Sequence, residues 1–295
     1  MKPNYIAAFL TLACPRKCPY CLNGQHGDTG KYKISPAAQW VPALNRLKSD
    51  IPITLHGGEP LCHPEFYEIV NHIHPDKYVD MLTTFPFGVA EFRAKIKPER
   101  FRNPFIYPSI RVTHHFDNMN LEETVSNVME LKNSGYSVGL YFVNHPAMKA
   151  QIADALAYCK SKQLPQPVLK PYLGRYMDRP YGNYRYPQAC FSPVLSVVKC
   201  RSSNFLIAPD GNIYGCHKGL LEKITSLSSG SLFGEYTFNH PLDCPYYGSC
   251  NTCDVQYKYD KTGRWGFSAV TITGSQVKTS HFDESDWVIP HANQG

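Results

Sequence analysis

Cys14-Pro15-Arg16-Lys17-Cys18-Pro19-Tyr20-Cys21 sets three cysteines in a CxxxCxxC, with an aromatic residue before the last of them. Thiolates at that spacing on one tight loop can each take one iron of a [4Fe–4S] cube. A cube has four corners and the loop fills three, so one iron keeps an open coordination site. The same cysteines with a nearby histidine also admit a structural zinc, although zinc sites usually pair two CxxC units or a CxxC with an HxxxH.

Working outward, residues 5–12 read as a buried strand that runs straight into the cysteine loop. The apolar run Ile6 to Cys14 is too short for a secretory h-region, with Lys2 the only charge ahead of it. Eleven cysteines, an odd number, in a chain without such a signal argue against a disulfide framework and for a cytoplasmic setting. The chain has 295 residues, enough for one large or two medium domains. No apolar run approaches membrane-spanning length, and the net charge of +6 is scattered rather than blocked. Neither membrane nor nucleic acid is therefore expected as a partner.

Beyond the loop, strand and helix patterns alternate. Ser35-Pro36 reads as a helix start, with serine as cap and proline first in the helix, and the helix extends to about Lys48. A strand over 51–56 leads into Gly57-Gly58-Glu59-Pro60, followed by a helix with Phe66, Ile69, Val70 and Ile73 on one face. Strands over 78–84, 106–114, 137–143 and 167–171 alternate with helices over 89–97, 121–133 and 147–162. Asn120 with Glu123 is a capping signature for the helix at 121. Six strand–helix units in a row imply a parallel sheet, with chemistry at the C-terminal strand ends. Both the cysteine loop and Gly57–Pro60 fall at such ends.

A CxxxCxxC after the first strand and Gly-Gly-Glu-Pro after the second, on a βα-alternating chain, resemble the radical S-adenosylmethionine (SAM) superfamily over residues 5–171. The resemblance implies an α/β fold, a partial (β/α)6 TIM barrel. It implies that Cys14, Cys18 and Cys21 hold a [4Fe–4S] cluster whose open iron is chelated by SAM. Cleavage of SAM then gives a 5′-deoxyadenosyl radical that abstracts hydrogen from substrate, with the electron delivered by a flavodoxin or ferredoxin-type donor. Gly57, Gly58, Glu59 and Pro60 match the segment around the methionyl ammonium. Thr83 matches a ribose contact and Thr113 a residue facing the SAM carboxylate, while Tyr20 and Asn144 are further cofactor-binding candidates. Of the adjacent His114 and His115, strand alternation puts one inside the barrel and the other outside.

The alternation stops near Leu173, and Tyr172 to Tyr186 reads as an interdomain linker across the barrel mouth. Six of the cysteines lie past residue 171. Cys200, ten residues, Gly211, four residues and Cys216 resemble the opening of the SPASM and twitch auxiliary domains. Ala208 to Gly215 reads as a hairpin with an Asp-Gly turn that sets Cys216 beside Cys200. Cys250-Asn251-Thr252-Cys253 adds a CxxC, so Cys200, Cys216, Cys250 and Cys253 can close one auxiliary [4Fe–4S] cluster, or a zinc site with the same thiolates. The full SPASM string is absent, which favours a single cluster. Cys190 and Cys244 are left over as substitute ligands, buried apolar residues or hydrogen donors.

The expected domains are therefore 1–185, a partial barrel, and 186–295, a smaller cysteine-rich α+β auxiliary-cluster domain. The expected activity is radical modification of a small polar metabolite such as a sugar, aminocyclitol or nucleotide, by two-electron oxidation or rearrangement. Modification of a ribosomally made peptide is the alternative.

Overall fold

A computed structural model of the protein describes residues 2–23, 31–258 and 266–280. Strand β1 (Tyr5–Thr11) is followed by α1 (Ala37–Arg46), β2 (Ile53–Gly57), α2 (Phe66–His72), β3 (Val79–Thr83) and α3 (Ala90–Lys95). Then come β4 (Ile110–His114), α4 (Leu121–Asn133), β5 (Val138–Asn144), α5 (Lys149–Ser161) and β6 (Val168–Pro171). Strands β1 to β6 pair in sequence order and in parallel, as expected of βα units.

Of two expected helix caps, one forms and one does not. Asn120 caps α4, accepting from the Glu123 N–H at 2.9 Å. Ser35 does not cap α1: Pro36 occupies the cap position with no side-chain bond of its own. The Glu65 carboxylate, from the residue before α2, takes the Ala37 N–H instead. Ser35 is committed elsewhere, its N–H to the Pro209 carbonyl and its carbonyl to His63 Nε2, at 3.1 and 3.0 Å.

The chain read as a linker contains a hairpin, β7 (Gly174–Tyr176) with β8 (Arg179–Tyr181). Its two turn residues, Met177 and Asp178, both take positive φ, +47° and +59°. That backbone is the one a tight two-residue hairpin needs, but it usually announces itself as Asn-Gly.

The remaining elements are α6 (Gln188–Phe191), β9 (Ser196–Ser202), β10 (Asn204–Ile207), β11 (Asn212–Tyr214) and α7 (His217–Glu222), then β12 (Ser228–Ser231), β13 (Leu242–Tyr247), α8 (Thr252–Val255) and β14 (Val270–Thr273). Strand β10 pairs in parallel with β1, Tyr5 opposite Asn204 and Ala8 opposite Ile207, so the large sheet has nine strands in the order β12-β11-β10-β1-β2-β3-β4-β5-β6. Strands β13, β9 and β14 form a separate sheet of three. The predicted hairpin is β10–β11, turned through Asp210-Gly211 with Gly211 at φ +81°.

Strand β1 is buried on both faces, which explains its unbroken apolar run. Ile6, Ala8 and Leu10 pack with Trp40 and Phe66 under the helices. Ala7 and Phe9 pack with Tyr186, Leu206 and Tyr214 on the other side. Among the described residues no helix is long and apolar enough to cross a membrane.

Candidate active site

The C-terminal ends of the strands surround a cavity of about 390 Å³, within the range of small-molecule sites. Cys14, Cys18 and Cys21 line it, and so do Gly57, Gly58 and Glu59. Two motifs separated by some forty residues thus meet at one wall, and backbone contacts say how. The Gly58 N–H donates to the Thr11 carbonyl and the Glu59 N–H to the Ala13 carbonyl, both at 2.9 Å. A Cβ on Gly58 would lie 2.4 Å from the Leu12 carbonyl oxygen and 2.5 Å from that of Ala13. Gly57 takes φ +143°, and a Cβ there would sit 2.0 Å from the Thr11 oxygen. Only glycine allows this approach.

Glu59 is fully buried. Its Oε1 accepts from the Thr83 hydroxyl at 2.7 Å and the Leu61 N–H at 3.3 Å. Its Oε2 accepts from the Thr84 N–H at 2.8 Å and the Thr84 hydroxyl at 3.0 Å. Four donors meet the roughly four acceptor sites of a carboxylate. Burial still pushes its pKa above the ordinary value, against those hydrogen bonds. Pro60 opens a short 3-10 turn and is buried behind this wall.

Tyr20, Thr113, His115 and Lys170 also line the cavity. Tyr20 Oη and His115 Nδ1 are 3.2 Å apart, and Lys170 Nζ donates to the Thr113 hydroxyl at 3.3 Å while lying over the Tyr141 ring. Burial, with Lys170 and Arg16 adding to it, lowers the His115 pKa to about 4, so its imidazole is neutral near pH 7. His114 points the other way, as alternation requires, 3.0 Å from the Thr124 hydroxyl and edge-on to Phe142. Arg16 donates to the Asn118 carbonyl at 2.7 Å, and Asn118 Nδ2 reaches Cys18 Sγ at 3.6 Å, so the cysteine loop is tied to the end of β4. Burial raises the pKa of Cys14 and of Cys18.

Asn144 lies apart from the other candidates. It is exposed and borders a neighbouring cavity with Tyr181, Asn183 and Tyr257. Lys170, His56 and His217 line the main cavity and were missed by sequence reasoning. Lys170 had a usable signal, its place near the end of the sixth strand. His217 had none, because it enters from α7.

The second group of cysteines does not line a single cavity. Cys200 and Cys216 line one small cavity together with Cys244. Cys216 stands at the start of α7, its Sγ accepting the Gly219 N–H at 3.3 Å. Cys250 is placed by its N–H, bonded to the Ala189 carbonyl at 2.7 Å. Cys253 lines the main cavity with Cys14, Cys18 and Cys21, its Sγ 3.7 Å from Gln256 Nε2. Asn251 caps the short α8 by accepting the Cys253 N–H at 2.9 Å. Asp254 braces the region from inside, accepting from the His217 N–H and pairing with His217 Nδ1 at 2.9 and 2.7 Å. None of the eleven cysteines is in a disulfide. Among the described residues, no group of three or more His, Cys, Asp or Glu is placed to hold a single metal ion.

Residues 9–140 match the Radical SAM superfamily. The fold is similar to that of anSMEcpe with bound AdoMet, at a TM-score of 0.54 and 13% identity over 79% of each chain. A second anSMEcpe structure, with bound AdoMet and Kp18Cys peptide, aligns at a TM-score of 0.52 and 12% identity, over 79% of this chain and 78% of that one. BtrN in complex with AdoMet and 2-DOIA aligns at 0.45 and 15% identity, over 79% and 80% of the two chains.

Proposed function

This chain belongs to the radical SAM superfamily through residues 9–140 and is a radical SAM enzyme, and from that premise we propose that its main cavity cleaves SAM and turns the resulting radical on a small polar substrate. The observation that carries the reading is the meeting of Cys14, Cys18 and Cys21 with Gly57-Gly58 on one wall. Three thiols suit three corners of a [4Fe–4S] cube, and the glycine cradle lets backbone approach an amino-acid moiety closely. When bound, a cluster with one open iron and SAM supply a 5′-deoxyadenosyl radical.

The chain's own residues orient and enclose. Glu59, next in sequence to Gly57-Gly58 and held by Thr83 and Thr84, would favour an ammonium group nearby when ionised. Its own acceptor sites are occupied, so its action on an ammonium is through field and through the shape of the Gly57–Gly58 backbone. Thr113 and Lys170 present a hydroxyl and a cation to a carboxylate or phosphate. Neutral His115 and the Tyr20 hydroxyl can take up or hold a proton near the substrate. Tyr172 and Leu173, both buried, add apolar lining, which suits a carbon radical that must be kept from water.

Two cations at the cavity, Arg16 and Lys170, favour a polar, anionic metabolite over a neutral side chain. The peptide-bound anSMEcpe structure keeps peptide modification as the second reading. A second [4Fe–4S] cluster in the region after residue 186, held by Cys200, Cys216 and Cys250 with one more thiolate, would accept the electron left after hydrogen abstraction. A flavodoxin or ferredoxin-type protein would reduce the first cluster.

The test is made on anaerobically reconstituted protein. It should hold about eight irons per chain, two cubes, and release 5′-deoxyadenosine from SAM under reduction. Replacing Cys14, Cys18 and Cys21 with alanine should remove about half the iron and all SAM cleavage. Stoichiometric zinc without iron sinks the reading. Stimulation of 5′-deoxyadenosine release by phosphorylated sugars, aminocyclitols or nucleotides, but not by peptides, selects the first substrate class; the reverse pattern selects the second.

A further inference from the structure

Beside the main cavity lies another of about 180 Å³, and the two have a common wall: Pro171, Tyr172 and Gln256 line both. The main cavity, at about 390 Å³, is near the lower end of the range for sites that hold one drug-sized molecule, roughly 300–1,000 Å³. SAM is itself a molecule of that class, so cluster and SAM leave little of the space free. A substrate that meets the radical must then extend out of the main cavity. The shared wall leads it into the neighbouring chamber.

That chamber is built by separate parts of the chain. Asn144 ends β5 and stands opposite Pro171 at the end of β6. Tyr181 and Asn183 come from the exit of the β7–β8 hairpin, and Gln256 and Tyr257 follow α8. Backbone ties the last two pieces together: the Tyr257 N–H donates to the Asn183 carbonyl at 2.7 Å and the Arg185 N–H to the Val255 carbonyl at 2.8 Å, with a bridge between Tyr184 and Gln256. Tyr172 is buried, its hydroxyl donating to the Arg175 carbonyl at 2.8 Å and its ring 5.9 Å from that of Tyr181. The lining chemistry is of one kind. None of the described residues around the chamber is charged; it presents three side-chain amides among tyrosine rings. An amide both donates and accepts, as a hydroxyl does, so the two pair without any charge to neutralise. The Asn144 and Asn183 side chains are exposed and take part in no hydrogen bond among the described residues, so a ligand displaces no protein partner. The tyrosines add apolar ring faces with polar tips, matched to a ring that is apolar on its faces and polar at its rim. The cations, Arg16 and Lys170, lie in the main cavity.

Resting on the reading of a SAM-cleaving main cavity given above, we propose that the chamber walled by Asn144, Asn183, Gln256 and Tyr172 is the substrate subsite, and that it takes the uncharged, hydroxylated ring of a sugar or cyclitol. A space of about 180 Å³ suits a single ring rather than a nucleoside or a stretch of peptide. Asn144 then serves the substrate and not SAM.

Binding decides this without reference to turnover. The full chain, anaerobically reconstituted and loaded with SAM, is dialysed to equilibrium against labelled glucose 6-phosphate or myo-inositol, with AMP and a capped tripeptide as comparisons. At least one of the two ring probes should bind. Asn144→Ala and Asn183→Ala should each weaken that binding about three- to ten-fold, the worth of one neutral hydrogen bond. Asn183→Trp, which fills the chamber, should abolish it. SAM affinity, titrated on the same variants, shows that an exposed-site substitution has left the fold in place. Failure of both ring probes to bind, or equal binding by parent and variants, overturns the proposal. Loss of SAM affinity in step with the ring probes also overturns it, because the chamber would then belong to SAM, as does binding of AMP or the tripeptide that the same substitutions abolish. A parent that binds no SAM overturns the reading of the main cavity instead, a distinct outcome.

Discussion

The Glu59 N–H donates to the carbonyl of Ala13 at 2.9 Å, so the segment after the second strand is fastened to the residue just before the first cysteine of the loop. Neither motif takes its shape independently.

Gly58→Ala follows directly. The added methyl would meet two backbone carbonyl oxygens at 2.4 and 2.5 Å, and backbone cannot step aside as a side-chain tip can. Iron at the first cluster should fall by at least about half and SAM binding should be lost. Gly234→Ala, where a Cβ meets nothing within 4 Å, should bind iron and SAM as the parent does. Equal iron in the two variants would show that the close approach is dispensable.

Glu59→Gln places an amide NH2 where a carboxylate oxygen now accepts two hydrogen bonds, whichever way the amide is turned. Leaving buried donors unmatched costs about 1–3 kcal/mol, and the charge of the ionised carboxylate is gone. SAM affinity should drop about ten- to a hundred-fold, with iron retained at the first cluster. Isothermal titration on reconstituted protein reads both. Unchanged affinity would confine Glu59 to bracing the end of β3.

Buried histidines give the metal-free protein a pH dependence. The pKa of His56 is lowered to about 3, and those of His114 and His115 to about 4, in each case first by burial. Above about pH 6.5 both folded and unfolded forms are neutral at these sites. As pH falls toward 4, the unfolded chain takes protons that the folded chain refuses, so stability is lost. Each histidine contributes a slope of up to about 1.4 kcal/mol per pH unit in that window. Urea midpoints measured from pH 7.5 to 5 should fall accordingly, and His114→Gln should flatten the curve by about one proton. An unchanged slope in that variant would mean His114 titrates freely.

Asp254→Ala removes the acceptor for the His217 N–H and Nδ1 and for Asn204 Nδ2, all buried. A loss of about 2–5 kcal/mol is expected, seen as a melting temperature lower by several degrees. The first cluster should still assemble, since its loop is anchored at β1, β2 and β4. If the variant loses both clusters together, the two parts of the chain are more tightly coupled than their hydrogen bonds indicate.

The barrel was legible because each of its signals is local. Asn120 lies next to the helix it caps, and the strands β1 to β6 are short apolar runs closed by glycine, proline or charge. Long-range choices left no such trace. Nothing in Asn204-Phe205-Leu206-Ile207 tells that its partner is β1, about two hundred residues earlier, because any parallel edge accepts any apolar strand. The hairpin at 174–181 was hidden by a Met-Asp turn that lacks the usual glycine. At the second set of cysteines, spacing does not tell that Cys200, Cys216 and Cys244 line one small cavity while Cys253 lines the main one. Sequence separation does not report the pairing of β13 with β9 that sets Cys244 near Cys200.

The pairing of β1 with β10 also bears on how the protein matures. While the chain emerges from the ribosome, β1 can find β2 early, but its other edge stays open until residues 204–207 have been made. An open apolar edge is a template for wrong pairing. The loop that begins at Cys14 springs from that half-supported strand, and the walls it faces are completed by Cys253 and Gln256, later still. Iron supplied before residues 253–256 have been made would meet a loop whose facing wall is not yet in place, so loading is expected to become efficient only after that wall has formed.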